Sequence, residues 1–435
     1  MSHPQTGELL FYSDSRQLWN KQHQIMSNGD DLSGSSGHAS DQTSIAVPFP
    51  NNSNLYYMFT MQEAGGITTA GEAEMMLFYS VIDMQGDNGL GTVLDKNIFL
   101  CDSLERKLTA VPFADREGYW LIAHQTDNNC FVVWPITSEG IGEPTVQCIG
   151  SVALYELGQI RASPDGKMLA MCHWQWYPRP IDLFKFDDST GEISEPIAIG
   201  HFAQNNTLSF SPDSKLLYIG GYDSTFLTLP NPSGYVNVLH QHDVSSYDSA
   251  SIASTQKSLV MEYVPEITDM QLGLDGKLYC TTRRLTFGPP VDVTFVVVEA
   301  PNLSELEGNI RTKVSFFDLS PRPVRPVLPN FMQHYFEGLE PQNGFRDNDM
   351  PCRDNSTMSL HPNPTENLIY IDIGDDCFHP DTNLQLFNVL GQKIMEQKIL
   401  QARGSTLDLS LLASGCYIAV LQLNDFTIAE RIIRL

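Results

Sequence analysis

The chain has 435 residues, of which 42% are hydrophobic and 18% are charged, and its formal net charge at pH 7 is −26. This composition is that of folded protein, and the length suggests two or three domains. The acidic balance disfavours binding to nucleic-acid phosphates and to anionic membrane surfaces, and no apolar run is long enough to predict a transmembrane segment.

A short pattern recurs along the first three quarters of the chain. Its clearest copies are RASPDGKMLAMC at 161–172 and SFSPDSKLLYIG at 209–220, and a third reads LDGKLYCTT from Leu274. Proline presets the backbone for a turn that Asp and Gly or Ser complete, and the flanking runs are apolar or β-branched. Each copy therefore predicts a β-hairpin. Looser copies begin at Gly7, Ser53 and Gly118.

The spacing of these hairpins defines a repeat. Their turn residues recur at intervals of 46 to 65 residues. Another apolar strand follows each hairpin, and then a glycine-bearing turn, as in ITSEGIGEP at 136–144 and DDSTGEISEP at 187–196. A repeat of about 45–50 residues with four short strands is typical of a propeller blade, because stacking around an axis covers sheets too small to bury both faces alone. The sequence predicts an all-β fold, a β-propeller of six or seven blades.

The first copy starts at its turn and lacks the inner strand that precedes the others. Propeller rings normally close by pairing strands from both ends of the chain. We therefore expect an incomplete N-terminal blade and a sequence truncated from a longer precursor, with a ring closed by C-terminal strands alone as the alternative. The opening residues, MSHPQTGELLFYSD, have no basic region followed by an apolar stretch and do not predict a secretory signal.

The loops between the second and third strands of the blades should gather on one face and form the candidate binding site. Loops on a rigid scaffold often carry recognition. Aromatic side chains there could stack on sugars or hold a cation, and arginines could fix an acidic group. The alternative is that the tryptophans pack between blades and the arginines are solvated. The candidate ligand-binding residues are His124, Asp127, His173, Trp174, Trp176, Tyr177, Tyr222, Asp223, Arg283 and Arg284.

An enzyme is a second class of function. Propeller hydrolases and lactonases generally place acidic or amide side chains around a metal, for which Asp127, Asp223 and His173 are candidates. The chain contains no nucleophile elbow, no HExxH motif and no paired-glycine phosphate loop. HQHD at 240–243 has two histidines on one face of a strand, but its polar setting predicts a solvated loop and not a metal site. We predict no cofactor and no metal, and non-enzymatic binding; an architectural spacer of the cell envelope is a third class.

The eight cysteines show neither C-x-x-C nor metal-finger spacing. A chain of this length does not need disulfides to hold a core, so most cysteines are expected to be scattered buried thiols. The sequence leaves their pairing open.

The residue composition of the chain changes after VLPNFMQHYF at 327–336. A polar stretch rich in Pro, Gly, Asn and Asp follows, which predicts a linker. Beyond it, strand runs alternate with turns, as expected for a small antiparallel β-sandwich. The predicted organisation is a β-propeller at 1–336, a linker at 337–357 and an Ig-like sandwich at 358–435.

Four sequence elements of this tail occur in a fixed order. They are HPNP at 361–364, LFNVLGQKI at 386–394, LDLSLLASGCYIAVL at 407–421 and the terminal RIIRL. They resemble the C-terminal sorting domain of the type IX (Por) secretion system. On that resemblance, the sorting motif comprises Pro362, Asn363, Pro364, Gly391, Gln392, Gly415, Tyr417, Arg431 and Arg434.

The front part is similar to the secreted bacterial β-propeller proteins that precede such tails, through GELLFYSDSRQLWN, the SPDG turns and LPNFMQHYF. The resemblance implies export, passage through the outer membrane by the type IX machinery, and release or cell-surface attachment. In that setting some cysteines would be paired. The predicted function is an exported or cell-surface binding or adhesion module for glycans or proteins. A secreted propeller hydrolase or lactonase-like enzyme is the alternative.

Overall fold

The structure is a computed structural model that forms two compact units, Met1–Pro341 and Gln342–Leu435, here called the N-terminal and the C-terminal unit. Nearly all of the regular structure is antiparallel β-sheet. The described residues are 1–2, 8–35, 42–67, 73–152, 158–173, 179–223, 236–260, 266–283, 293–304, 306, 309–314, 328–338, 358–363, 365–373, 383–388, 392–399, 405–422 and 427–435. No helix among them is both long and apolar enough to cross a membrane.

The N-terminal unit opens with a two-stranded hairpin, β1 (Phe11–Ser13) and β2 (Leu18–Asn20). Its apolar side chains, including Phe11 and Leu18, pack with Tyr56 of the next sheet in one buried cluster. In the described residues this first sheet has two strands, and the incomplete first blade stays a prediction.

Two four-stranded blades follow and share one long strand. Blade A consists of β3 (Ser44–Phe49), β4 (Asn52–Ile67), β5 (Ala73–Asp83) and the first part of β6 (Thr92–Pro112). Blade B consists of the second part of β6, β7 (Tyr119–Gln125), β8 (Cys130–Thr137) and β10 (Thr145–Cys148), and β9 (Gly140–Ile141) pairs with β8. Strand β6 passes from blade A to blade B at Leu104, which pairs with Met75 of blade A and with Gln125 of blade B.

Blades C and D repeat this plan through β14. Blade C consists of β11 (Ile160–Ala162), β12 (Met168–Met171), β13 (Arg179–Asp187) and the first part of β14 (Glu192–Phe210). Blade D consists of the second part of β14, β15 (Leu216–Asp223), β16 (Val236–Asp243) and β17 (Lys257–Val260). Blade E consists of β18 (Glu266–Leu272), β19 (Leu278–Arg283), β20 (Val293–Val298) and β21 (Ile310–Val314). Two short helical segments are Gly86–Gly89 (α1) and Ser249–Ser254 (α2).

The repeated turns explain the repeated sequence. Each joins the first and second strands of a blade, and the residue after its Asp has a left-handed backbone: φ is +74° at Gly166, +61° at Ser214 and +74° at Gly276. Glycine adopts this conformation at little cost, and Ser214 shows that a small polar residue is tolerated.

The first strands of the blades converge. Gln42, which precedes β3, exchanges hydrogen bonds of 2.9 and 2.7 Å with the main chain of Ile160 in blade C. Arg161 of the same blade lies 3.3 Å from Asp269 in blade E. Side chains of non-neighbouring blades can meet in this way only if the first strands surround a common axis, as they do in a β-propeller. The predicted all-β propeller class is confirmed.

A single segment, Leu328–Gly338, joins these converging strands and is here called the axial segment. It includes a 3-10 helix, Gln333–Phe336. Asn330 donates to the main chain of Ser44 in blade A and of Leu108 in blade B. Met332 packs in the core of blades A and B, whereas Phe336 packs with blades D and E.

The C-terminal unit is a two-sheet sandwich. Its strands are β22 (Met358–His361), β23 (Leu368–Ile373), β24 (Asn383–Asn388), β25 (Lys393–Lys398), β26 (Ser405–Asp408), β27 (Gly415–Gln422) and β28 (Thr427–Arg434). One sheet has the order β22-β23-β26 and the other β25-β24-β27-β28. Alternate side chains such as Ile369, Leu384 and Leu386 form the buried core, as expected for strands with one covered face. The predicted sandwich is confirmed.

The described part of the N-terminal unit therefore holds six sheet units, namely the hairpin and blades A to E. A seventh blade stays a prediction, as do the boundaries at residues 336 and 358.

One expectation is wrong: HQHD at 240–243 is not a solvated loop. It lies on β16 between β15 and β17, and His240 and His242 are buried. Since both faces of this blade are covered, polar alternation does not mark an exposed strand here.

Candidate functional site

The described part of the candidate site lies where the second strands of blades B and C end. His124 is the penultimate residue of β7, and His173 follows β12 by two positions. Both imidazoles are buried, with 0% and 3% of their surfaces exposed. They belong to one buried polar cluster.

Glu105 is the centre of this cluster. Its carboxylate lies 2.5 Å from Lys107 Nζ and 3.2 Å from His124 Nδ1, and all three side chains are buried. Burial opposes ionisation of Glu105, but the charge of Lys107 and the contact with His124 outweigh it and lower the pKa of this carboxyl. Glu105 is therefore an ionised buried carboxylate with a cation beside it.

His173 forms the second half of the cluster. Its Nε2 lies 3.4 Å from Asp182, which also accepts a 2.9 Å hydrogen bond from the Ser151 hydroxyl. Burial lowers the pKa of His173, and the hydrogen bond to Asp182 offsets only part of that effect. The imidazole is therefore neutral near pH 7. Among the residues that the structure describes, its Nδ1 and the Nε2 of His124 have no hydrogen-bond partner, so the described part of the cluster leaves polar capacity unused.

The remaining predicted ligand-binding residues divide into two groups. Asp127 is half-buried in the turn after β7, where its φ is +57°. Tyr222 and Asp223 end β15, and Arg283 ends β19, so their main chains are placed at strand ends in blades D and E. Trp174, Trp176, Tyr177 and Arg284 lie outside the described residues. The assembly of the ten residues into one site stays a prediction.

Sequence reasoning did not identify Glu105, Lys107 or Asp182. Glu105 and Lys107 are two positions apart and share one face of β6, because side chains alternate along a strand. That spacing of opposite charges, directly before the apolar end of a long strand, was the available signal. In the part of the chain that the structure describes, no three His, Cys, Asp or Glu side chains are grouped as metal ligands.

One disulfide joins neighbouring strands of blade B, between Cys130 on β8 and Cys148 on β10. Three other described cysteines, Cys101, Cys172 and Cys280, are thiols. Burial raises the pKa of Cys172 to about 11, so this thiol is protonated and unreactive at neutral pH.

Three sorting-motif residues of the C-terminal unit bond to its own main chain through their side chains. Asn363 donates to the carbonyl of Arg431 at 2.6 Å and accepts from the amide of Ile433 at 2.9 Å. The Tyr417 hydroxyl donates to the carbonyl of Ala413 at 2.8 Å. Arg434 Nε donates to the carbonyl of Leu409 at 2.8 Å.

These bonds bring distant motif elements to one place, here called the motif corner: residues 363, 365, 409–414 and 431–435. Gly415 pairs with Arg434 at its edge. Gln392 acts elsewhere, since it closes the turn between β24 and β25 through hydrogen bonds with Asn388. Pro362 lies between β22 and Asn363, and Pro364 and Gly391 lie outside the described residues.

Comparison with known families agrees with this geometry. Residues 359–434 match the secretion system C-terminal sorting domain. The resemblance of the tail is thereby confirmed. A sorting domain of this type indicates secretion and cell-surface attachment through the type IX system, whose machinery recognises it. A comparison with curated proteins gives no match.

Solved structures show only a distant likeness. A provisionally assigned 6-phosphogluconolactonase of Bacteroides fragilis has 11% identity and a TM-score of 0.41, with 98% of this chain and 96% of that chain covered. The periplasmic gluconolactonase of Pseudomonas aeruginosa has 10% identity and a TM-score of 0.40, covering 92% and 97%. Hydrazine synthase of Kuenenia stuttgartiensis has 13% identity and a TM-score of 0.33, and the match spans 53% of this chain and 61% of that chain. Likenesses this weak say nothing about activity.

Proposed function

We propose that the chain is a cargo protein of the type IX system, and that its N-terminal unit is a recognition module for glycans or proteins at the cell surface. The match of residues 359–434 to the sorting domain, with the motif residues holding a sandwich together, carries the export part of the proposal. Attachment outside the cell requires a module that tolerates an oxidising environment, and the Cys130–Cys148 disulfide suits that setting.

The recognition part rests on the scaffold. The second strands of blades B and C end beside His124 and His173, which belong to one buried cluster with Glu105. A buried ionised cluster fixes the geometry of what lies above it, because each partner is held by charge and hydrogen bonds. Loops anchored on such a base suit ligand recognition.

Export is tested by expressing the full chain behind a cleavable leader in a bacterium with a type IX system and in the same strain without that system. We expect the N-terminal unit at the cell surface or in the medium in the first strain only. A variant ending at residue 357 is the control and should stay inside both. Equal amounts outside both strains would contradict the proposal.

Recognition is tested with the purified full chain on arrays of glycans and surface proteins. The double variant Trp174→Ala, Arg283→Ala should lose affinity for the bound ligand without a lower melting temperature. Equal loss of affinity and melting temperature would show that these side chains pack and do not bind.

The alternative of a hydrolase or lactonase-like enzyme is favoured by one feature, the buried Glu105–His124 pair, in which no described residue bonds the Nε2 of the imidazole. A carboxylate that orients a histidine is the arrangement of a general base. Lactone hydrolysis by the purified chain that disappears in His124→Gln, with the melting temperature kept, would replace the recognition module by an enzyme.

A further inference from the structure

Three motif residues of the C-terminal unit use their polar side-chain atoms within that unit. Asn363, Tyr417 and Arg434 direct their polar atoms to main-chain groups of the same unit. A side chain that is bonded internally is a positioning residue, and its effect on sorting must pass through what it positions. A receptor would therefore contact the exposed groups that Asn363, Tyr417 and Arg434 hold in place.

Two exposed leucines lie at the motif corner. Leu411 is 98% exposed and Leu435 is 63% exposed. A single exposed leucine needs no explanation. Leu411, however, belongs to the LDLSLLASG stretch of the sorting motif. Leu409, two positions before it, is buried in the core, and Leu412, directly after it, packs against the core. The chain therefore turns Leu411 outward from a loop that is otherwise anchored.

One guanidinium holds the main chain beside both leucines. Arg434 Nη2 donates to the carbonyl of Ser410, next to Leu411, at 3.3 Å, and Nη1 donates to the carbonyl of Leu435 at 3.1 Å. Asn363 accepts a hydrogen bond from the amide of Ile433, which lies on β28 next to Arg434. The amide of Leu435 donates to the carbonyl of Thr365 at 2.9 Å. The two leucines are thus presented from a preorganised corner, which reduces the entropy lost on binding.

We propose that Leu411 and Leu435 form the apolar contact by which the type IX machinery recognises this tail, in an apolar pocket of a receptor protein. Asn363 and Arg434 position the contact. Burying a leucine side chain stabilises a complex enough to change affinity by about 10-fold or more. This inference rests on the proposed export by the type IX system.

The experiment measures the exported fraction of the full chain, behind a cleavable leader, in a type IX-competent bacterium. Leu411→Ser should lower the exported fraction about 10-fold or more, with the intact chain retained inside, and Leu411→Met should restore it. The matched control is Ile394→Ser, an equally simple apolar-to-polar change at a 40% exposed position on β25, across the sheet from β28. It should leave export unchanged.

Limited proteolysis of the purified variants separates recognition from folding. Leu411→Ser should keep the protease resistance of the C-terminal unit, whereas Arg434→Ala should lower export and resistance together. Normal export of Leu411→Ser, or equal loss with Leu411→Ser and Leu411→Met, would overturn the apolar contact. Failure of the unaltered chain to leave the cell would instead overturn the proposed function.

Discussion

The N-terminal and the C-terminal unit each use an arginine to join separate strands, and the two side chains are satisfied differently. Arg161 is buried between blades C and E, where it lies 3.3 Å from the carboxylate of Asp269 and donates to Gln271 at 2.7 Å. Arg434 is partly exposed and donates to main-chain carbonyls, including that of Leu409 at 2.8 Å.

The difference shows what each unit can tolerate. A buried guanidinium without a counter-charge carries a large desolvation cost, so the N-terminal unit depends on keeping both members of its pair. Arg434 retains access to water, which can replace part of each lost hydrogen bond. The centre of the propeller should therefore be far more sensitive to single substitutions than the motif corner is.

The largest effect is expected from Asp269→Ala. It leaves Arg161 buried and unpaired and removes the carboxylate that accepts from the amide of Leu328 in the axial segment. We expect a loss of about 3–5 kcal/mol from the free energy of unfolding of the N-terminal unit, measured by denaturant titration. Asp115→Ala, in an exposed turn of blade B, is the control and should cost about 0.5 kcal/mol or less. Similar losses in both variants would remove the distinction between centre and surface.

The disulfide gives the next largest effect. Cys130 and Cys148 are 18 residues apart, and closing a loop of that size stabilises a fold by about 3 kcal/mol in the chain-entropy account. The double variant Cys130→Ser, Cys148→Ser should therefore lower the melting temperature of the N-terminal unit, and a reductant should lower that of the unaltered chain equally. A reductant effect that persists in the double variant would place the sensitive bond elsewhere.

A smaller effect is expected at the motif corner. Asn363→Ala removes a donor to Arg431 and an acceptor for Ile433, so the C-terminal unit should lose about 1–2 kcal/mol, seen as faster proteolysis of that unit. Gln385→Ala, which removes an exposed amide contact with Glu396, is the matched control. A loss as large as that of Asp269→Ala would show that the two units are equally sensitive.

The smallest effect concerns pH. Burial lowers the pKa of His334 in the axial segment from 6.5 to about 4. The unfolded chain therefore takes up this proton first, and the stability of the N-terminal unit falls as the pH falls from about 6.5 towards 4. We expect His334→Phe to reduce that loss by about 1 kcal/mol between pH 7 and 5, in unfolding measured at both values. An unchanged pH dependence would show that the half-buried His334 does not contribute to the pH dependence of stability.

The sequence was most informative for features formed by residues that are close together in the chain. The turns around Gly166 and Ser214 identify their hairpins, because a left-handed position after Asp restricts the residues allowed. The tail likewise contains its motif in order. The centre was not predictable, since Arg161 and Asp269 are 108 residues apart and meet only once blades C and E face each other.

The candidate site shows the same limit. His124 and His173 were chosen as loop residues, but the structure places both in a buried cluster, because the covering side chains come from neighbouring strands. Glu105 and Lys107 would be read as exposed from their charge alone, and only their mutual contact at 2.5 Å permits burial. Whether the ten predicted residues share one ligand stays a prediction.

The shared strand β6 has a consequence for how this protein can change. Leu104 belongs to two sheets at once, through Met75 and Gln125. Removing one residue just before it would reverse the inward and outward side chains of one blade relative to the other, since register alternates with every position. Insertions and deletions should thus be confined to the loops, and blades A and B must be inherited as a pair.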